Sequence, residues 1–576
     1  MRIAKTATLF LLAAGFAAAQ LTMDQKVTDF QYMASVYAKR YGPYEWKRDA
    51  IGFDLLNIAP WLDKVRKTKT DLDFYDVMSE YVSNLNDAHD VYLLPSSYVA
   101  RLNFSVDVFD GKLLVDSINR TRLPAGEFPF VAGYELVSID GADPQKSLDG
   151  LLRYEIAANA RSTRRFAASL LTIRPQQLIP NAANVPEISS VIFRRPDGNL
   201  ETYRIPWTQS GLAITSVGSF MTPQSIRQTS AIRKPNRGAG LDGPGSEPAG
   251  SVDYLKAVRP LLYSKIRPRE VTGFGTLAPV FAASLPTSFV ARLGRTSTDP
   301  FYSGTFTAGA YKIGFIRIPD YEPTDITGAA NAFLKEITYF QANTDGLIID
   351  DMRNPGGYGD YANLLLSMVM KDKWRSIAFE VRATSEWVSV ISSAYESAVA
   401  LGYPDDIIAL FQTLKDQLIA ANATVRGRTN PIPLDSDQIV RDPLKDAKGN
   451  LLSYTKPVML LVDELSASAA EIFAASIQDN ARGPLFGWRT MGAGGNVQQW
   501  EGGSYSQGSM TVTESLMNRK DPVVTTDYLT APYVENIGVR PDISYDYMTA
   551  ANLAKSGKPF VDAMIAAMVD NIQKNK

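Results

Sequence analysis

Apolar residues recur at helical spacing across residues 24–86. In DQKVTDFQYMASVYAKRY, the side chains of Phe30, Met33, Val36 and Tyr37 share one face, and DLDFYDVMSEYVSNL repeats the arrangement. The next stretch, LNDAHDVYLLPSSY, turns toward extended structure. From about 100 to 208 the pattern is mostly that of strands. FVAGYELVSIDG alternates and ends in Asp-Gly, and SSVIFRRPDGNLETYRIPW gives two strand-like runs around the turn Pro196-Asp197-Gly198. Between them, LDGLLRYEIAANARSTRRFAASLL reads as one helical stretch.

Residues 233–251, RKPNRGAGLDGPGSEPAGS, lose all apolar periodicity and read as a flexible linker or exposed loop. From about 310 strands and helices alternate. YKIGFIRI precedes the helix ITGAANAFLKEITYFQ; GLIIDD precedes the turn MRNPGGYGD and the helix YANLLLSMVM. After a polar, partly helical insertion over 373–455, PVMLLVD leads to the helix AAEIFAASIQDN and then to LFGWRT. Such alternation predicts an α/β layer with largely parallel strands. Ligands in such sheets sit beyond the carboxyl ends of strands. Both MRNPGG and ELSASAAE fall at such ends, which predicts one shared crevice.

A chain of 576 residues is long enough for two to four domains. Its net charge of −2, with Lys and Arg dispersed, lacks the basic stripe of a nucleic-acid protein. Zero cysteines exclude disulfides, thiolate metal sites and a cysteine nucleophile. One histidine, His89, is the sole imidazole available to any mechanism, too few for a typical zinc site. No metal or cofactor is therefore expected. MRIAKTATLFLLAAGFAAAQ carries a charged start, a short apolar stretch and a small-residue cleavage site, so residues 1–19 read as a secretory signal. The expected location is periplasmic or extracellular. No later segment is long and apolar enough for stable membrane insertion.

Two serines, Ser466 and Ser468, stand where the strand before 463 turns into a helix. Ser468-Ala469-Ala470-Glu471 fits the S-x-x-E capping box, in which the serine oxygen satisfies an orphan helix N–H. The same position would let the following N–H groups and the helix dipole stabilise developing negative charge, with small neighbours leaving room for a carbonyl. MRNPGG is equally two-sided. Its glycines serve a turn, or they let a substrate carbonyl approach a backbone donor. Taken singly, neither motif decides.

In order, DAHD, IIDDMRNPGGY and VDELSASAAEIFAASIQDNARGPLFGWRTMGAGG resemble the C-terminal processing (tail-specific) serine peptidase family. The match is clear over about 310–545 and looser before it. The resemblance implies a layered α/β core of the crotonase/ClpP-like kind. With it come an N-terminal helical domain (20–99) and a PDZ-like β-rich module (100–208), carried mainly by FVAGYELVSIDGADP. A plain β module fits those residues equally well. It further implies a linker or insert over 209–305, a peptidase core over 306–546 and a C-terminal helix over 547–576. Ser468 takes the place of the family nucleophile. The lysine that serves some members would stand 25 residues on, where this chain has Ala493 in Gly492-Ala493-Gly494, so a Ser–Lys dyad is ruled out.

The Ser–His–Glu branch, which includes tricorn and the chlamydial protease-like activity factor, matches better. In that branch an early D-x-H motif corresponds to Asp87-Ala88-His89, and a glutamate near ENIGVRPD corresponds to Glu535. The implied roles are Ser468 as nucleophile, His89 as base and Glu535 as the acid that orients it. Ala469 and Gly356 or Gly357 are the implied oxyanion donors. Expected partners are protein or peptide substrates, with room for a homodimer and no nucleic acid. By the same resemblance, 233–251 is an autocleavage or inhibitory loop. The rivals are a catalytically silent binder of peptides or apolar ligands on the same fold and an esterase, whose G-x-S-x-G elbow is absent.

Overall fold

Two strands, Gly346–Asp350 and Val458–Val462, are buried along their whole length. Unbroken apolar runs of this kind belong to parallel strands covered on both faces. The computed structural model describes residues 20–215, 273–424, 427–435 and 438–575. In it these two strands lie side by side, parallel, at the centre of a seven-stranded sheet. Its strands run in the order Val290–Leu293, Tyr302–Ala308, Tyr311–Arg317, Gly346–Asp350, Val458–Val462, Leu485–Gly487 and Ile543–Ser544. The first two pairings are antiparallel and the remainder parallel.

Alternate residues supply the two layers. Leu347, Ile349, Val458, Leu460 and Val462 pack with Phe333, Ile337, Ile472 and Phe473, which belong to the helices Ile326–Asn343 and Ala469–Asp479. Ile348, Met459 and Leu461 pack on the opposite face with Met564, Met568 and Ile572 of the helix Lys558–Lys574.

The core sheet begins earlier than the expected boundary at 306, because Val290–Leu293 and Tyr302–Ala308 are already members of it. The first is a four-residue edge strand, partly exposed, and too short to carry a period. The insertion over 373–455 contributes the helices Ser385–Leu401 and Asp405–Asn422 and the strand Ala378–Val381, which pairs with Ser515–Val523.

The N-terminal region forms four helices, Met23–Arg40, Tyr44–Ile51, Ala59–Lys67 and Asp71–Ser83. Their apolar faces close over Met510 and Val512 of the strand Ser509–Thr513, so this region is built onto the core. Residues 104–206 contain a five-stranded antiparallel sheet. The expected continuous helix over 148–171 is broken, since Asn159 caps a separate helix, Ala160–Ser169, by accepting from the Ser162 N–H. From that helix buried Arg165 donates to Asp107 and Glu464, and Arg161 donates to Glu464 and Asp546. These charge-assisted bonds fasten the module beside the loop that carries Ser466 and Ser468. Residues 1–19 and the 233–251 segment lie outside the described residues. Among the described residues, no helix is long and apolar enough to cross a membrane.

Candidate active site

The loops after the two central strands meet at their carboxyl ends. Asp463 clamps them, accepting from the N–H groups of Arg353 (2.8 Å) and Leu465 (3.1 Å) and from the Tyr547 hydroxyl. The Ala467 N–H donates to Asn354 O at 2.9 Å. Ser466 is consumed by this clamp, its Oγ donating to Asp351 O at 2.8 Å and accepting from the Asp463 N–H at 3.0 Å. It is a structural hydroxyl.

Ser468 stands one step further on with φ 58° and ψ −116°. A positive φ at a residue with a Cβ costs roughly 1–3 kcal/mol and persists only where the surroundings impose it. Here Glu471 contributes. Its buried carboxylate accepts from the N–H groups of Ser468 (3.1 Å), Gly492 (2.8 Å) and Ala493 (2.7 Å) and from Thr490 Oγ1 (2.5 Å). Burial pushes Glu471 up to about 7 against the pull of those donors. The capping-box glutamate is thus present, and it does more than cap.

The Ser468 Oγ lies 3.0 Å from His89 Nε2. Strand pairing carries the histidine there: Tyr92–Leu93 pairs with Met510 and Ser509. Thr511 Oγ1 donates to His89 O (2.6 Å) and accepts from the Val91 N–H (3.0 Å). Asp87 Oδ1 accepts from the His89 N–H at 2.9 Å, which fixes the turn from its other side. Both Ser468 and His89 are buried.

Glu535 is fully buried, with Oε2 accepting from the Gly494 N–H at 2.8 Å and Oε1 paired with Lys47. Burial, and then the charge of Asp87, push its carboxyl up to about 8, while the Lys47 ammonium pulls it down. The turn that lacks a lysine therefore has another use, since Ala493 donates to Glu471 and Gly494 to Glu535.

Gly356 and Gly357 differ in what their N–H groups do. The Gly356 N–H donates to Asn354 Oδ1 at 2.9 Å, so this expected oxyanion donor is already engaged. Gly357 and Ala469 have N–H groups without an acceptor among the described residues. Gly356 instead makes room. Its φ is +91°, and a Cβ there would stand 2.6 Å from the Ser468 Cβ. Lys47, which the sequence reading passed over, is the further residue that the site draws in.

Comparison with known proteins bears on the family and the fold. Residues 312–545 match the model of peptidase family S41, and residues 98–214 match a PDZ domain. A Chlamydia pneumoniae protein is 25% identical over 98% of this chain and 92% of its own length. An uncharacterized Chlamydia muridarum protein is 25% identical over 96% and 94%. Among solved structures, mature CPAF complexed with lactacystin superposes with a TM-score of 0.71 at 22% identity, covering 96% of this chain and 99% of that one. That likeness establishes a shared fold.

Proposed function

We propose, from the premise that this chain carries a peptidase family S41 domain and is a serine-type peptidase, that it is an exported endopeptidase working through Ser468, His89 and Glu535. The observation that carries this reading is the 3.0 Å approach of His89 Nε2 to Ser468 Oγ. In this mechanism His89 accepts the hydroxyl proton as Oγ attacks the scissile carbonyl, because a serine is a poor nucleophile until a base takes that proton. The N–H groups of Gly357 and Ala469 receive the developing oxyanion. His89 then returns the proton to the leaving amine, and water repeats the sequence on the acyl-enzyme. Glu535, when ionised, supports the charged imidazole. Substrates are proteins or peptides, and the reading of residues 1–19 as a signal puts the enzyme in a periplasm or outside the cell.

The test is incubation of the purified protein with casein, a fluorogenic peptide pool and a fluorophosphonate probe. Cleavage with probe attached at Ser468 is the expected result. Absence of both labelling and cleavage would move the chain to the silent binding-protein reading.

A further inference from the structure

Lys47 projects from the helix Tyr44–Ile51, and its side chain is 1% exposed. Burying an ammonium costs several kcal/mol unless it is paired and fully hydrogen-bonded. Lys47 has three donors and three acceptors: Glu535 Oε1, Asn86 O at 2.8 Å and Asn536 Oδ1 at 2.8 Å. Those acceptors come from two places only. Asn86 opens the turn that carries His89, whereas Glu535 and Asn536 are consecutive on the far loop. Asn536 adds to that link, its side-chain amide donating to Asn86 O at 3.0 Å, and it reaches a third segment through Ala158 O at 2.9 Å.

We propose that Lys47 is a positioning residue of the catalytic site, its ammonium clamping the Glu535 carboxylate against the turn that carries His89. The proposal rests on the roles given above to Ser468, His89 and Glu535. From the turn over residues 86–90 the charge of Asp87 acts on Glu535, and Asp87 and Asp90 act on each other. Tyr41, from the end of the first helix, also acts on this cluster and donates to Asp87 Oδ2 at 3.0 Å. The 492–494 turn offers only the Gly494 N–H. Burial and Asp87 both favour the protonated form of Glu535, and Lys47 opposes them. Without Lys47 the carboxyl would hold its proton to higher pH and give less support to an imidazolium.

The experiment is kcat/KM against pH, from 6 to 9.5, for the wild type, Lys47→Met, Glu535→Gln and the double variant. Thermal unfolding of each is followed alongside. The expected result is an acid limb displaced to alkaline pH by about one unit in Lys47→Met, a tenfold loss at pH 7. In the Glu535→Gln background Lys47→Met should change nothing further, because residues acting through one another are not additive. A loss by one constant factor at every pH, or an equal loss in both backgrounds, would make Lys47 merely structural and overturn the proposal. Full activity in Glu535→Gln would instead overturn the role of Glu535 beneath it. Where Lys47→Met does not fold, Lys47→Gln, which keeps donors but not the charge, takes its place in the cycle.

Discussion

His89 and Ser468 stand 379 residues apart in the chain and 3.0 Å apart at Nε2 and Oγ. Alanine at either position should lower kcat/KM by about 10⁴–10⁶-fold, and alanine at both should cost no more than the worse single change, since the pair works as a unit. Steady-state cleavage of a fluorogenic peptide measures this. Independent, additive losses would show that the two side chains do not share a proton.

Rate should rise with pH. Catalysis needs His89 neutral and Glu535 ionised, and burial has pushed Glu535 up to about 8. Raising pH through the 6–8 window ionises Glu535, so kcat/KM is expected to increase by at least about tenfold across it. A profile flat from pH 5 to 8 would remove His89 from the role of base.

Gly356→Ala probes the floor beneath the nucleophile. The new Cβ would face the Ser468 Cβ at 2.6 Å and Ala467 O at 2.8 Å, in a backbone with φ +91°. Stability should fall by about 1–3 kcal/mol. Displacing Ser468 should also cut kcat by about 10²-fold. Denaturant midpoints and steady-state kinetics separate the two effects. A fully active variant would mean that the turn yields without disturbing the hydroxyl.

Much of this site was legible in the sequence, for identifiable reasons. The S-x-x-E box alone leaves Ser468 as either cap or nucleophile; the order of DAHD, MRNPGG and SASAAE singles it out, and a chain with one histidine leaves His89 alone as an imidazole base. The choice between Gly356 and Gly357 was not legible, because it depends on which N–H the Asn354 side chain takes. Lys47 was hidden by its neighbours. In YEWKRDAI it precedes Arg48 and Asp49, a pattern indistinguishable from a solvated helix face, and only the approach of Glu535 and Asn536 from the far end of the chain buries it. The strand Val290–Leu293 escaped notice for a similar reason, since its identity lies in pairing with Tyr302–Ala308.

Glu471→Gln tests whether the helix cap also holds the nucleophile. The carboxylate satisfies three N–H groups and one hydroxyl. An amide of equal size turns one of its two oxygens into a donor facing donors, so about 2–4 kcal/mol of stability should be lost. With Ser468 less firmly held, kcat should drop while KM changes little. Unchanged stability would mean that the turn over 490–494 can re-pair its donors elsewhere.

Asp435 gives a prediction about stability that is separate from catalysis. Burial, and then the charge of Asp360, push its carboxyl up to about 8, and its Oδ2 has no hydrogen-bond partner among the described residues. In the unfolded chain the same group titrates near 3.8. The folded protein therefore binds the extra proton throughout the window between these values. Its contribution is complete below the unfolded pKa and is lost as pH rises through the folded one, at about 1.4 kcal/mol per unit. Asp435→Asn, permanently neutral, should match the wild type in urea midpoint near pH 4 and exceed it by a growing margin up to pH 8. Parallel stability curves for the two proteins across that range would show that the carboxyl ionises in the fold without penalty.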